Sequence, residues 1–222
     1  MAHSFASPRA TELRNDIALD ASTVIVLDFE TTGLSPNQGD RAIEIGAVKL
    51  QHGIVVDRFQ ELMNPGFRIS GFIESYTGIS NQMLNNAAPC EEVMERFADF
   101  IADYNMVAHN ASFDQRFLDA ELNSIGREYR GEFACSMLIA RRLYQEAPNH
   151  KLGSLINYKQ IKHDGVFHRA LADSEMTADL WLVMLNDLKR DHNIQEPEFK
   201  LMQAITKQTK ANVQKYLYNY SR

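Results

Sequence analysis

The first half of the chain contains three hydrophobic segments rich in β-branched residues, at 23–29, 42–50 and 54–62. Segments of this length and composition are typical of β-strands. Gln51-His52-Gly53 separates the second segment from the third and is a hairpin turn signal, and Asn64-Pro65-Gly66 predicts the end of the third strand. We therefore expect three successive strands of the antiparallel type.

After these strands the hydrophobic spacing becomes helical. Val93, Phe97 and Ile101 recur at four-residue intervals after Pro89, which predicts a helix with one buried face. Asn110 is the predicted N-cap of a further helix. The apolar stripe of that helix comprises Phe113, Phe117, Leu118 and Leu122. The remaining predicted elements are strands at 106–109 and near 133–135, and helices at 136–146, 152–158, 169–190 and 198–218.

This order of elements predicts an α/β fold. Three antiparallel-type strands followed by alternating helices and parallel strands give a mixed five-stranded sheet with helices on both faces. We expect residues 1–20 to form an N-terminal arm, residues 21–190 to form the main domain, and residues 191–222 to form a basic helical extension.

Charge and composition narrow the class of protein. The net charge of the 222 residues is −6, whereas residues 189–222 carry seven Lys/Arg against three Asp/Glu. That basic stretch either attracts phosphates or is a solvated helix face. Two distant cysteines, the absence of a signal-peptide pattern and apolar runs too short for a bilayer favour a cytoplasmic protein with no membrane partner.

Acidic residues stand at the ends of hydrophobic segments. Asp28 and Glu30 end the first strand two positions apart, so their side chains point to the same face and Phe29 points to the other. Two converging carboxylates favour a bound cation such as Mg²⁺ or Mn²⁺, although exposed acids at a strand end are also common. The small residues of Thr31-Thr32-Gly33 allow a ligand to approach the backbone, and Leu34 can contact a base.

Two later segments carry further candidates. In AHNASFD, Asp114 lies in the first turn of a predicted helix, where an acid also interacts favourably with the helix dipole. His109 ends the preceding strand, and Phe113 is an aromatic ring able to stack on a base. In HRALADSE, His168 is predicted to lie in a loop and Asp173 in the second turn of the following helix. A histidine there is suited to general base catalysis or is an ordinary surface residue.

Taken together, LDFETTGL, AHNASFD and HRALADS resemble the three motifs of the DEDD exonucleases. The histidine five residues before the last aspartate is typical of the DEDDh (DnaQ-like) branch. The resemblance spans residues 22–187, with the motifs in the right order, and AIEIGAVKL, YTGIS and ACSMLIARRLY agree with it as well.

The resemblance implies an RNase H-like fold and 3′→5′ exonucleolysis that releases nucleoside monophosphates with two divalent metal ions, Mg²⁺ or Mn²⁺. It implies that Asp28, Glu30 and Asp173 bind the first ion. Asp28 would bridge to the second ion, which Asp114 would also reach. His168 would be the general base. By the same resemblance, the pocket for the terminal nucleotide would be lined by Thr31, Leu34, His109 and Phe113.

Within the branch, DFETTGL and GFRISGFIESYTGIS are most similar to the proofreading (epsilon) exonuclease of bacterial DNA polymerase III and its stand-alone relatives. The resemblance therefore favours the 3′ end of DNA as the substrate. An exoribonuclease and a non-catalytic nucleic-acid-binding module of the same fold are the alternatives. Residues 191–222 lie outside the resemblance and either dock a polymerase subunit or cap the domain.

Overall fold

A computed structural model describes residues 20–163 and 169–222. Its centre is a mixed sheet whose strands are β1 (Val24–Thr31), β2 (Ala42–Gln51), β3 (Ile54–Asn64), β4 (Ala88–Pro89), β5 (Met106–Ala108) and β6 (Phe133–Cys135). Their order across the sheet is β4-β3-β2-β1-β5-β6. β1, β2 and β3 pair in antiparallel fashion, whereas β5 pairs in parallel with β1 and β6 with β5.

The predicted sheet is confirmed, with one strand more than expected. The additional strand is β4, two residues that pair in parallel with the end of β3. Such a short strand has no hydrophobic run by which the sequence would indicate it. The predicted hairpin is also observed. His52 and Gly53 both have positive φ, of 50° and 76°, as a two-residue loop between antiparallel strands requires.

Nine helices are present in the described residues: α1 (Gly71–Thr77), α2 (Asn81–Asn85), α3 (Cys90–Ile101), α4 (Ser112–Ser124), α5 (Ser136–Leu143), α6 (Leu152–Tyr158), α7 (Ala170–His192), α8 (Phe199–Lys207) and α9 (Val213–Tyr220). A short 3₁₀ helix, Pro36–Gln38, lies between β1 and β2. None of the described helices is long and apolar enough to cross a membrane.

Hydrophobic residues are buried on both faces of the sheet. On one face α3 and α4 pack against β1, with Phe97 and Phe117 fully buried. On the other face α7 crosses β1 and β2, and Trp181 is buried beside Phe199 of α8. β1 is therefore covered on both sides, which accounts for its nearly uninterrupted apolar sequence.

Three details of the predicted helices were wrong. Asn110 is not the N-cap of α4: its φ is +81°, and Ala111 precedes the helix instead. A left-handed residue, for which asparagine is well suited, turns the chain sharply at the end of β5. The helix predicted at 136–146 ends at Leu143, and the one predicted at 198–218 is divided by 208–212. Arg142 donates a hydrogen bond to the carbonyl of Gln208 at this break.

The C-terminal helices pack on the body of the protein. Phe199 and Met202 of α8 and Leu217 of α9 belong to the same hydrophobic core as Trp181. Gln203 donates a hydrogen bond to the carbonyl of Phe133 in β6. The division into a domain ending at residue 190 and an extension after it stays a prediction, since α7 itself runs to His192. The predicted arm, residues 1–20, lies outside the described residues apart from Asp20.

Candidate active site

The end of β1 presents two carboxylates on one face of the sheet. Phe29 lies between them in sequence and points into the core, where its ring packs edge-on against Phe97 at 6.3 Å. Asp28 and Glu30 therefore share the opposite face, as predicted from the strand periodicity. Asp28 is partly exposed, and Glu30 is buried, with 8% of its surface accessible.

A third carboxylate reaches the same place from the first turn of α7. Asp28, Glu30 and Asp173 each have a carboxylate oxygen within 4.8 Å of those of the other two. Asp173 was predicted in the second helical turn, but because α7 begins at Ala170 it lies in the first. Its Oδ2 also accepts a hydrogen bond from the backbone N–H of Arg169 at 3.2 Å.

A fourth carboxylate, Asp114, approaches the end of β1 from α4. It stands in the first turn of α4, as predicted, and only 2% of its surface is exposed. Its Oδ1 accepts a hydrogen bond from the backbone N–H of Phe29 at 3.2 Å, which holds it against β1 between the two other acids. We refer to Asp28, Glu30, Asp114 and Asp173 as the acidic cluster.

The negative charges of the acidic cluster repel one another. Burial raises the pKa of Asp28 well above its usual value, and the negative charges of Asp114 and Asp173 raise this pKa further. Burial and the neighbouring acids raise the pKa of Glu30 to about 8. Burial raises the pKa of Asp114 to about 7. Carboxylate oxygens that converge in this way are suitable ligands for a hard divalent cation, and a bound cation would favour the ionised form of each carboxyl group.

Asp28, Glu30 and Asp173 of the acidic cluster border a cavity of about 720 Å³. All four residues that the resemblance assigned to a nucleotide pocket line this cavity: Thr31, Leu34, His109 and Phe113. Leu34 is 77% exposed, and so its side chain is available to a ligand. The ring of Phe113 packs at 5.1 Å from Phe117, which supports it from behind.

Both ring nitrogens of His109 are bonded to the protein. Nε2 is 2.9 Å from the carbonyl oxygen of His150 and therefore donates, so Nδ1 accepts from the hydroxyl of Ser136 at 2.8 Å. Burial lowers the pKa of His109 to about 4. The histidine is neutral at physiological pH, and it offers the cavity a ring edge rather than a charge.

The loop after β1 is held by one carboxylate. Asp40 accepts hydrogen bonds from the backbone N–H of Ser35 at 2.9 Å and from the hydroxyl of Thr32 at 3.3 Å. A Cβ on Gly33 would lie 2.3 Å from Oδ1 of Asp40, so any other residue there would displace this contact. The glycine thus allows the loop to fold tightly beside Leu34.

Several cavity residues were missed from the sequence. Phe72, Ile73 and Tyr76 of α1 form one wall, and Leu152 contributes from α6. The rings of Phe72 and Tyr76 stack at 6.0 Å, and both remain exposed. α1 was not predicted from the sequence. The signals that could have revealed it are its two caps, Ser70, which accepts from the N–H of Ile73, and Gly78 with φ of 71°.

His168, the predicted general base, lies outside the described residues. Arg169 follows it directly and is described, so the chain emerges from this segment next to Glu44 and the first turn of α7. The role of His168 stays a prediction.

Comparison with known proteins identifies the family. The exonuclease family model RNase_T matches residues 25–181. A PolC-type DNA polymerase III of Caldanaerobacter subterraneus subsp. tengcongensis is 38% identical over 167 residues, which is 74% of this chain and 12% of that protein. The 3′-5′ exonuclease DinG of Bacillus subtilis is 37% identical over 167 residues, which is 75% of this chain and 18% of the relative. The chain thus spans only a small part of the length of these relatives.

Solved structures agree with this result. Exonuclease X in complex with 5′ overhanging duplex DNA superposes with a TM-score of 0.63 and 26% identity, covering 82% of this chain and 99% of that chain. The nuclease domain of 3′hExo, a DEDDh family member bound to rAMP, has a TM-score of 0.63 at 22% identity, over 75% of this chain and 92% of the other. The chain therefore belongs to the RNase_T exonuclease family, and the predicted resemblance to the DEDDh exonucleases with their RNase H-like fold is confirmed.

Proposed function

We propose that the protein is a metal-dependent 3′→5′ exonuclease that hydrolyses the terminal phosphodiester of DNA and releases nucleoside 5′-monophosphates. The observation that supports this most directly is the convergence of Asp28, Glu30 and Asp173, whose carboxylate oxygens lie within 4.8 Å of one another. They border a cavity of about 720 Å³, within the size range of small-molecule and cofactor sites.

In this proposal the residues of the acidic cluster bind two divalent metal ions. Asp28, Glu30 and Asp173 would hold a first divalent ion, and Asp28 and Asp114 would hold a second. When bound, Mg²⁺ or Mn²⁺ ions supply electrostatic stabilisation of the attacking and leaving oxygens in an in-line displacement. Asp114 is fixed by the backbone N–H of Phe29, so its carboxylate stays aligned with the end of β1.

The cavity walls orient the terminal nucleotide in the same proposal. Leu34 and Phe113 contact the base, and Thr31 and the ring edge of neutral His109 complete the pocket near the acids. Phe72 and Tyr76 extend the apolar wall away from the acids, where a second base of the strand could stack. His168 takes a proton from the attacking water, for which an imidazole is suited near neutral pH.

DNA is the proposed substrate because the relatives above 30% identity include a PolC-type DNA polymerase III and the 3′-5′ exonuclease DinG. Proofreading or DNA repair is the corresponding cellular role, and docking of a polymerase is one of two roles proposed for residues 191–222. The packing of α8 and α9 against the body supports the simpler role of a cap for that segment. Exoribonuclease activity is the second candidate, since the solved neighbours include an exonuclease that recognises the histone mRNA stem-loop.

A panel of 3′-labelled oligonucleotides tests the proposal. We expect mononucleotide release from single-stranded DNA that requires Mg²⁺ or Mn²⁺, is faster than release from RNA of the same sequence, and is lost in Asp28→Asn. Asp57→Asn, which neutralises an exposed acid on β3, is the matched control and should leave the rate unchanged. Faster cleavage of RNA would favour the second candidate. Metal-independent cleavage, or full activity in Asp28→Asn, would refute the proposed site.

A further inference from the structure

The first turn of α7 lies unusually close to β2. A Cβ on Gly46 would be 2.1 Å from the backbone nitrogen of Leu171 and 2.2 Å from the carbonyl carbon of Ala170. The helix backbone therefore occupies the space that any side chain at position 46 would need. Gly46 is the direct cross-strand neighbour of Asp28. The helix that carries Asp173 thus approaches the sheet beside Asp28 because this position has no side chain.

Glu44, two residues before Gly46 in β2, binds the same turn of α7 through its carboxylate. Its carboxylate is fully buried and accepts hydrogen bonds from Nε and Nη2 of Arg169, at 3.1 and 2.8 Å, and from the backbone N–H of Ala170 at 3.1 Å. Arg169, the N-cap residue of α7, makes no side-chain capping bond of its own. Glu44 therefore supplies the cap of a helix that begins 126 residues later in the chain.

The position of Glu44 is electrostatically unfavourable, because another carboxylate lies beside it. Glu44 is the cross-strand neighbour of Glu30, and its negative charge raises the pKa of Glu30. A buried carboxylate is offset here by the Arg169 guanidinium and by the partial positive charge of the helix N-terminus. Since an apolar residue would avoid the repulsion, the contact of Glu44 with α7 is better explained by the position it imposes than by stability.

A third contact completes the attachment. The hydroxyl of Ser174 donates a hydrogen bond of 2.9 Å to the carbonyl of Gly46. Contacts to β2 thus precede Asp173 in the chain, through Arg169 and Ala170, and follow it directly, through Ser174. The position of Asp173 relative to β1 is therefore determined by β2 on both sides.

We propose that Glu44 and Gly46 are positioning residues of the metal site: they fix the first turn of α7 on β2 and so bring the Asp173 carboxylate to Asp28 and Glu30. This inference rests on the proposed function, because it assumes that the three carboxylates bind a divalent ion. It assigns no ligand role to Glu44, whose oxygens are occupied by Arg169, Ala170 and the side-chain amide of Gln60.

Direct measurement of Mn²⁺ binding tests the inference independently of activity. Glu44→Gln keeps the shape of the side chain but removes the charge, and Gly46→Ala inserts a methyl group between β2 and α7. We expect calorimetric titration to show Mn²⁺ affinity weakened about tenfold or more in each variant, as is typical for residues that orient metal ligands. In the nuclease assay kcat should fall, KM for DNA should change little, and excess Mn²⁺ should restore part of the rate.

Glu121→Gln is the matched control. Glu121 is 3% exposed and, like Glu44, accepts hydrogen bonds from an arginine, Arg41, and from a backbone N–H, that of Ala42. This pair attaches α4 to the start of β2 and does not contact α7. Glu121→Gln should lower the melting temperature about as much as Glu44→Gln does, while its Mn²⁺ affinity stays within about twofold of the wild type.

Three outcomes would contradict the inference. Wild-type Mn²⁺ affinity in folded Glu44→Gln would exclude the positioning role, and if Gly46→Ala does not fold, Glu44→Gln alone decides. Equal weakening in Glu121→Gln would show that any loss of stability has the same effect. Absence of Mn²⁺ binding in the wild type, or binding that Asp28→Asn leaves unchanged, would overturn the proposed metal site together with this inference.

Discussion

The protein buries two kinds of carboxylate, and their surroundings differ. Glu44, Glu121 and Asp187 are at most 6% exposed, and each forms an ion pair with at least one arginine or lysine. We call these three the paired acids. The acidic cluster is also largely buried, but the strongest electrostatic influences on Asp28, after burial itself, are the negative charges of Asp114 and Asp173.

We infer that this difference separates structural acids from the proposed catalytic ones. Each paired acid connects two elements: Glu44 connects β2 to α7, Glu121 connects α4 to β2, and Asp187 connects α7 to Lys159 at the end of α6. The cluster acids instead come together beside a cavity, which three of them line, and they repel one another. Burial alone thus does not identify a catalytic acid, whereas the sign of the neighbouring charges does.

The largest contrast should appear when one acid of each kind is neutralised. At pH 8 in the absence of metal, Asp114→Asn should raise the free energy of unfolding by about 1–2 kcal/mol, because a buried like charge is removed. Its cleavage rate should fall about a hundredfold or more, since a proposed metal ligand is lost. Asp187→Asn should lower the free energy of unfolding by about 2–3 kcal/mol, because Lys159 loses its partner and Arg190 keeps only Asp191.

Urea denaturation and a single-turnover nuclease assay measure both quantities on the same preparations. Asp187→Asn should keep its cleavage rate within about twofold of the wild type under conditions where it is folded. If both variants lose stability, the charge of Asp114 must be stabilised by groups other than those described above. The distinction between the two kinds of acid would then fail.

Much of the fold could be predicted because its signals are local. The β-branched runs of β1, β2 and β3 and the four-residue spacing of α3 are contained in short segments, and these elements were predicted to within about three residues. α1 was missed although its two caps, Ser70 and Gly78, are also local signals. The break between α8 and α9 depends on Arg142, 66 residues earlier in the chain, and nothing in the local sequence indicates it.

The candidate site likewise contains residues that local sequence patterns indicate and residues that they do not. Asp28 and Glu30 follow from strand periodicity, and the three motifs together indicated Asp114 and Asp173. Glu44 was not recognised, although it lies in a segment that contributed to the resemblance. Its partner Arg169 is 125 residues away, so only the folded chain brings the two together. Pairs of this kind have no local pattern, which is why positioning residues are harder to predict than ligands.

Repulsion within the acidic cluster should also make the stability of the protein depend on pH, with a smaller effect than the substitutions above. The pKa of Glu30 is raised from 4.5 to about 8 and that of Asp114 from 3.8 to about 7. Between these values the folded protein binds more protons than the unfolded chain, so the metal-free protein should lose stability as the pH rises from about 5 to about 8. Mn²⁺ binds the ionised carboxylates, and so it should raise the melting temperature more at about pH 8 than at about pH 5.

Glu30→Gln isolates the contribution of the acidic cluster to this pH dependence. With one of the titrating groups removed, the metal-free melting temperature of the variant should fall less steeply over the same pH range than that of the wild type. Parallel curves for the two proteins would mean that other groups dominate the titration, and the raised pKa of Glu30 would then have no detectable consequence for stability.

The smallest expected effect concerns a hydrogen bond to one paired acid. The hydroxyl of Tyr144 donates to Oδ2 of Asp187 at 2.7 Å, and Asp187 keeps its ion pairs with Lys159 and Arg190 when this bond is removed. Tyr144→Phe should therefore lower the free energy of unfolding by only about 1 kcal/mol in urea denaturation, with no change in nuclease rate. Tyr158→Phe alters a neighbouring exposed ring and serves as the control, with an expected change below about 0.5 kcal/mol. A loss in Tyr144→Phe as large as that in Asp187→Asn would show that the hydroxyl, rather than the two cations, compensates the buried charge.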